Sequence, residues 1–168
     1  MVGTEVMVML QRVAVALVLW HAAAGAHAMK APVPCALLTK EEVVEAINAT
    51  VSAGEARIST ASLGSCSFRA KGGGDVLVLV RLAPGKDWQS EQVARMYQGV
   101  RMGTYRMVEG LGERAFLFDM GSAGAVLCVF LEGDYLQISL LRLEDPSKVA
   151  AAAEQLARRA LERMSTLR

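Results

Sequence analysis

The stretch 125–141 holds two seven-residue apolar runs, AVLCVFL and YLQISLL, with only Glu-Gly-Asp between them. Three residues cannot carry a crossover, which takes a dozen or more, so the runs must pair antiparallel as a hairpin turning at Gly133. Upstream, VLVLVRL at 76–82 is apolar at consecutive positions and hence on both faces, the pattern of a strand in the middle of a sheet. The KGGGD turn before it leads back to CSFRA, where Cys66, Phe68 and Ala70 alternate with Ser67 and Arg69. ARIST at 56–60, TYRMVE at 104–109 and RAFLF at 114–118 supply further short strands, for a sheet of about six.

Two or three helices flank these strands. Thr39 followed three residues on by Glu42 is a capping box, each side chain satisfying the other's orphan backbone N–H, so a short helix begins there and ends near Asn48. A second is expected from Asp87 or Ser90 to about Gly99, with Trp88, Val93, Met96, Tyr97 and Val100 at helical spacing. Asp145-Pro146 opens the last, a capping carboxylate followed by a residue tolerated only in the first turn. Its apolar stripe is narrow: Val149, Ala152, Leu156, Ala160 and Met164. Hairpin-length connections between strands, without strand–helix alternation, give an α+β fold with a single antiparallel sheet. No motif repeats at a fixed period, so 35–168 reads as one domain after a short linker, 29–34.

Residues 1–28 have the layout of a secretory signal. Arg12 precedes the apolar run VAVALVLW, and the small-residue tract HAAAGAHA closes with an A-x-A site after Ala28. Glu5 is out of place in a basic leader, and a start at Met7 or Met9 would leave the same cleavage site. The apolar run is too short to span a membrane, which takes about 20 residues, so export without stable membrane insertion is expected, to a periplasmic or secreted location. Removing 28 of the 168 residues leaves 140, enough for one hydrophobic core, with the net charge still +1. That balance gives no electrostatic case for nucleic acid. Cleavage also removes His21 and His27, the only histidines, and with them Ser-His-Asp and Cys-His catalysis and the usual zinc or non-haem iron sites. No cofactor is expected.

Three cysteines remain. Cys35 lies far beyond the apolar run and follows Pro34, which argues against a lipid anchor, and it has no imidazole to activate it as a nucleophile. A disulfide is the remaining role, with Cys66 the favoured partner, while Cys35–Cys128 and Cys66–Cys128 stay open at this level. Cys128 shares a strand face with Val126 and Phe130 and reads as a small buried hydrophobe. Met96, Met102, Met107 and Met120 lack the repeated spacing of a soft-metal site and read as core filling. Glu109, Glu113 and Asp119 around the Gly-Leu-Gly turn are the candidates for paired carboxylate chemistry, with solvated turn residues as the simpler reading. Arg158, Arg159, Arg163 and Arg168 complement the last helix's dipole, with Glu154 and Glu162 interleaved as partners four residues away. Asn48-Ala49-Thr50 matches the acceptor pattern for N-glycosylation.

With PCALLTKEEVVEAI, GSCSF and VEGLGERAFLF in place, the chain resembles small exported bacterial domains of unknown function, many of them actinobacterial lipoproteins. They share a Pro-Cys-x-Leu-Leu-Thr opening, a second Cys before an aromatic strand and a Gly-Leu-Gly-acidic-x-Ala turn. The resemblance runs from Pro34 to about Met164. It implies a Cys35–Cys66 disulfide and an antiparallel sheet flanked by helices, like the sandwich of the photosystem extrinsic-protein and nuclear-import-factor superfamily. It carries over no catalytic residue, and the lipobox of many such relatives is missing here. The expected function is a non-enzymatic module that binds a protein or small ligand through the sheet face or a groove beside a helix. The competing expectations are a hydrolase or lyase working with carboxylates or with Tyr97, Tyr105 or Tyr135, and a soft-metal carrier using Cys128 and methionines.

Overall fold

A computed structural model describes residues 34–60, 62–82 and 103–166. Among them seven strands form one antiparallel sheet: β1 (Glu55–Ser59), β2 (Leu63–Arg69), β3 (Asp75–Leu82), β4 (Thr104–Met107), β5 (Arg114–Asp119), β6 (Gly124–Leu131) and β7 (Asp134–Leu141). Two α-helices accompany them, α1 (Lys40–Ile47) and α2 (Val149–Thr166). The fold is therefore α+β with a single antiparallel sheet, and the strand count is seven, one above the expectation. The segments at the sheet's two edges, β1 and β4, are both strands, held by pairing to β2 and β5 and not by any apolar pattern of their own. The second helix expected near 87–99 falls outside the described residues, as does the expected signal at 1–28.

The strand order is β1-β2-β3-β7-β6-β5-β4. It consists of two meanders, β1–β3 and β4–β7, joined where β3 pairs with β7. The run expected in mid-sheet is thus flanked on both sides, and the expected hairpin closes with Leu131 opposite Asp134 across Glu132-Gly133. KGGGD is the β2–β3 turn: Gly72, Gly73 and Gly74 all take positive φ, from 93° to 104°, where a side chain is strained. Edge strand β1 carries Glu55 and Arg57 and bulges between Ala56 and Ile58, features that discourage edge-to-edge association.

Both helices lie on one face of the sheet. α2 packs across β6 and β7 and against α1. Its buried surface includes Ala153 and Ala157 as well as the five residues of the expected stripe, so the apolar band is wider than the large side chains alone indicate. Opposite it stand Ala115, Leu117, Ala125, Leu127, Leu136 and Ile138, alternate residues of β5–β7. Alanines on both sides let the helix approach the sheet closely, which leaves little space for larger side chains. The intervening residues of the same strands face the other way, where Phe116, Val126, Cys128, Phe130 and Tyr135 form a second buried cluster.

α1 begins where the sequence places it. Thr39 Oγ1 accepts from the Glu42 N–H at 3.2 Å, Glu42 Oε2 accepts from the Thr39 N–H at 2.8 Å, and Asn48 ends the helix at φ 52°. Ahead of it the 3-10 turn Pro34–Ala36 is pinned to β2 by a Cys35–Cys66 disulfide, with Cα atoms 5.0 Å apart. Pro34, placed in the linker on sequence, is buried and belongs to the domain. Its ring packs so tightly on Gly64 that a Cβ there would come within 2.6 Å. Among the described residues no helix is long and apolar enough to cross a membrane.

The disulfide closes a loop between residues 31 apart. On the chain-entropy account such a loop stabilises by about 3.5 kcal/mol. Denaturant unfolding of the reduced protein, or of Cys35→Ala, is expected to show that loss relative to the oxidised protein; equal midpoints would show that the N-terminal turn is held by packing alone.

Candidate functional site

The most interconnected polar groups lie between the helices and along the outer side of α2. Arg163, in the last turns of α2, makes a bidentate pair with Glu42, both N–O distances 2.6 Å, and also donates to the Leu37 carbonyl at 2.7 Å. One carboxylate thus serves the capping box and the inter-helix pair together. The Arg163 guanidinium is the main reason the Glu42 carboxyl titrates at about 2, with the Thr39 N–H adding to it. Arg159 reaches α1 as well, 2.9 Å from Glu45 and 4.0 Å from Glu42, and it holds Glu45 below the usual carboxylate range.

On the other flank of α2, Arg106 of β4 forms a close ion pair with Glu154, and Arg158 donates to the Gly110 carbonyl at 3.3 Å. These contacts replace the expected pairing along the helix. Neighbouring elements present fixed partners to α2, so its arginines bond outward to α1 and the β4–β5 turn, and Glu154 to Arg106 of β4, and not to one another four residues apart. Arg168 is outside the described residues. Between the two flanks runs a shallow groove of ≈ 700 Å³. It extends from Ser147 to Glu162 along the outer face of α2, with Ala150 and Ala151 at its end near the start of the helix and Arg106, Glu154, Arg158 and Arg159 beyond them.

The second sheet face holds a different polar set. The Tyr135 hydroxyl lies 2.7 Å from Gln137 Oε1 and 3.1 Å from Cys128 Sγ, and Gln137 Nε2 donates to Ser139 Oγ at 2.8 Å. Alternate residues of one strand project the same way, which puts Tyr135, Gln137 and Ser139 in a row. Around them Tyr105, Phe116, Phe130 and Tyr135 make a chain of ring contacts, with centroids 5.2 to 5.8 Å apart. Cys128 is fully buried there, and desolvation pushes its thiol up to about 12. It is a protonated, inert side chain, as its strand position suggests.

Of the carboxylates offered by sequence, Asp119 stands apart from the two glutamates. Glu109 and Glu113 are exposed in the turn before β5, whereas Asp119 ends that strand and accepts from the Gly121 N–H at 2.9 Å. The six residue steps from Glu113 to Asp119 amount to roughly 20 Å of strand, well beyond the span across which two carboxyls share a glycosidic bond. Of the tyrosines, Tyr105 donates to Met107 Sδ at 3.4 Å, Tyr135 is buried in the polar row, and Tyr97 is outside the described residues. Met107 and Cys128 are separated by Phe116, which pairs with each from the strand between. Two strand spacings are about 9.5 Å, too far for one soft ion. Met120 packs against the second cluster, Met96 and Met102 lie outside the described residues, and the described residues contain no group of three or more His, Cys, Asp or Glu able to hold a metal ion. Asn48 of the glycosylation pattern is exposed at the end of α1.

No protein-family model and no curated protein matches the chain.

Two outcomes follow from these environments. The carboxyl of Glu42 is depressed from 4.5 to about 2, so its contribution is complete above about pH 4.5 and disappears as pH falls through 2. Glu42→Gln is expected to lower unfolding free energy at pH 7 by about 2–3 kcal/mol. The difference from the unmodified protein should shrink toward zero near pH 2; a difference independent of pH would place the effect elsewhere. Cys128 is expected to resist an aromatic disulfide reagent in the folded protein and to react once unfolded, and comparable rates in both states would contradict its burial.

Proposed function

We propose that this protein is an exported, non-enzymatic module that binds a partner along the outer face of α2. The groove between Arg106 and Arg159 is the observation that carries the reading. It is open, its charged side chains are held in place by ion pairs and a carbonyl contact, and small residues, Ser147, Ala150 and Ala151, lie at one end. Polar side chains already fixed by partners favour recognition, since little side-chain entropy is lost when a partner docks. The Cys35–Cys66 bridge suits an oxidising compartment, in keeping with the signal-like residues 1–28. The scattered carboxylates and the buried Tyr135 favour binding over hydrolysis or elimination, and the 140-residue mature form would be periplasmic or secreted.

The test is a peptide panel presented to the oxidised protein and to Ala151→Trp, in which an indole blocks one end of the groove. Peptides retained by the unmodified protein and lost with the indole are expected. Equal retention by both would remove the groove from consideration, and cleavage of any panel member would overturn the non-enzymatic reading. Mass spectrometry of the exported protein should find Met29 at the N-terminus and the bridge intact.

A further inference from the structure

The aromatic face of the sheet is buried, yet no described element lies on top of it. Phe116 and Cys128 are 0 % exposed and Phe118 and Tyr135 1 %, although α1 and α2 both pack on the opposite face. Burial this complete in the middle of a sheet requires a layer of groups packed over the rings. Chain connectivity brings one segment past this region. β3 ends at Leu82, opposite Asp134 and so at the Glu132-Gly133 end of the sheet. β4 starts at Thr104, opposite Asp119, which faces Ala125 at the other end. Residues 83–102 therefore join two strands that run in the same direction, travelling the length of the sheet and passing β7, β6 and β5.

Such a crossover has two faces to choose from, and chirality selects one. The Ala70 N–H donates to the Gly74 carbonyl at 3.0 Å, so Phe68 and Val76, two residues further along each strand, also form a hydrogen-bonded pair. Val76 belongs to the core on the helical face. For an L-residue in a strand running upward with its side chain toward the viewer, the N–H and C=O point to the right. Seen from the helical face, β2 thus lies to the right of β3, and β7, β6, β5 and β4 lie to the left. Seen from the aromatic face the order reverses, and β4 lies to the right of β3. A right-handed crossover, the form almost always found between parallel strands, runs in front of the sheet in that second view, over the aromatic face. The Met120 N–H, donating to the Gly124 carbonyl at 2.8 Å, gives the same handedness from β5 and β6. Over β6 and β7 the helical face is in any case taken by α2. The sequence of the segment suits the aromatic side, since Val93, Met96, Tyr97 and Val100 recur at three- and four-residue intervals.

We infer that residues 83–102 dock on the aromatic face, with Val93, Met96, Tyr97 and Val100 toward the rings. That face is then an internal interface of the domain, not a surface for a ligand or a second molecule, and partners are left the side of the fold that carries α2. The inference holds whether or not the α2 groove binds anything.

The experiment uses the full oxidised protein, in which Cys128 is the free thiol. In its NMR spectra the methyl groups of Val93 and Met96 are expected to show nuclear Overhauser contacts to the ring protons of Phe116 or Phe130. Met96→Asp, which turns a carboxylate toward the rings, is expected to speed the reaction of Cys128 with an aromatic disulfide reagent about tenfold or more. Gln98→Asp, on the opposite side of the helical period, should leave that rate unchanged, and circular dichroism checks that both variants fold. Absence of the methyl–ring contacts in the unmodified protein overturns the inference whatever the variants do. It is also overturned if Cys128 stays equally protected in folded Met96→Asp, or if a mixed-labelled sample shows the rings in contact with a second copy of the chain.

Discussion

Strand β6 has no solvent-facing row from Gly124 to Phe130, so each of its side chains must find company in one of two separate layers. On the helical side, Ala125, Leu127 and Val129 meet the alanine-rich surface of α2, and small residues on both partners bring helix and sheet close together. On the other side, Val126, Cys128 and Phe130 join an aromatic layer into which β7 projects Tyr135, Gln137 and Ser139. Those three polar groups are tolerable at that depth because they bond to one another in sequence along the strand. The same alternation that makes the strand compatible with two dry layers therefore decides where polar atoms can be tolerated.

Packing of α2 leaves its outer half free for polar contacts, and these organise the rest of the surface. Arg159 and Arg163 hold α1 from one side, while Arg158 and Glu154 engage the β4–β5 turn and β4 from the other. Most of these pairs are partly exposed, where an isolated ion pair contributes little. Glu42–Arg163 differs because the carboxylate is only 17 % exposed and also completes the cap of α1. One side chain thus fixes the last turns of α2 to the first turn of α1, beside the apolar packing the two helices already share.

Much of this architecture is legible in the sequence because it rests on local rules. The Thr39–Glu42 box, the glycine turn at 72–74, the hairpin at Gly133 and the doubly apolar β3 each depend on a few neighbouring residues. The edge strands are harder. β1 is exposed at every position, and only its pairing with β2 makes it a strand. Ala153 and Ala157 are hidden for a related reason, since an alanine is as acceptable outside as inside and only close helix–sheet contact reveals its side. The sequence alone leaves Cys35 with two possible partners, and the 3-10 turn lying against β2 is what brings it to Cys66, whereas the inertness of Cys128 is legible from its strand position. The groove was not legible at all. Arg106 and Glu154 are 48 residues apart, as are Arg158 and Gly110, and helical spacing suggests partners for those arginines that the tertiary fold replaces.

The contact between Arg163 and the Leu37 carbonyl joins positions 126 residues apart, within a few residues of either end of the described fold. The two ends of the described fold therefore share one corner, with the Cys35–Cys66 bridge immediately beside the first. A domain arranged in this way suits circular permutation, with new termini opened at an exposed hairpin such as Glu132-Gly133, and insertion as a cassette into a loop of another protein. In either setting the groove along α2 would keep its orientation relative to the point of attachment, because the helix that forms it is anchored at that same corner.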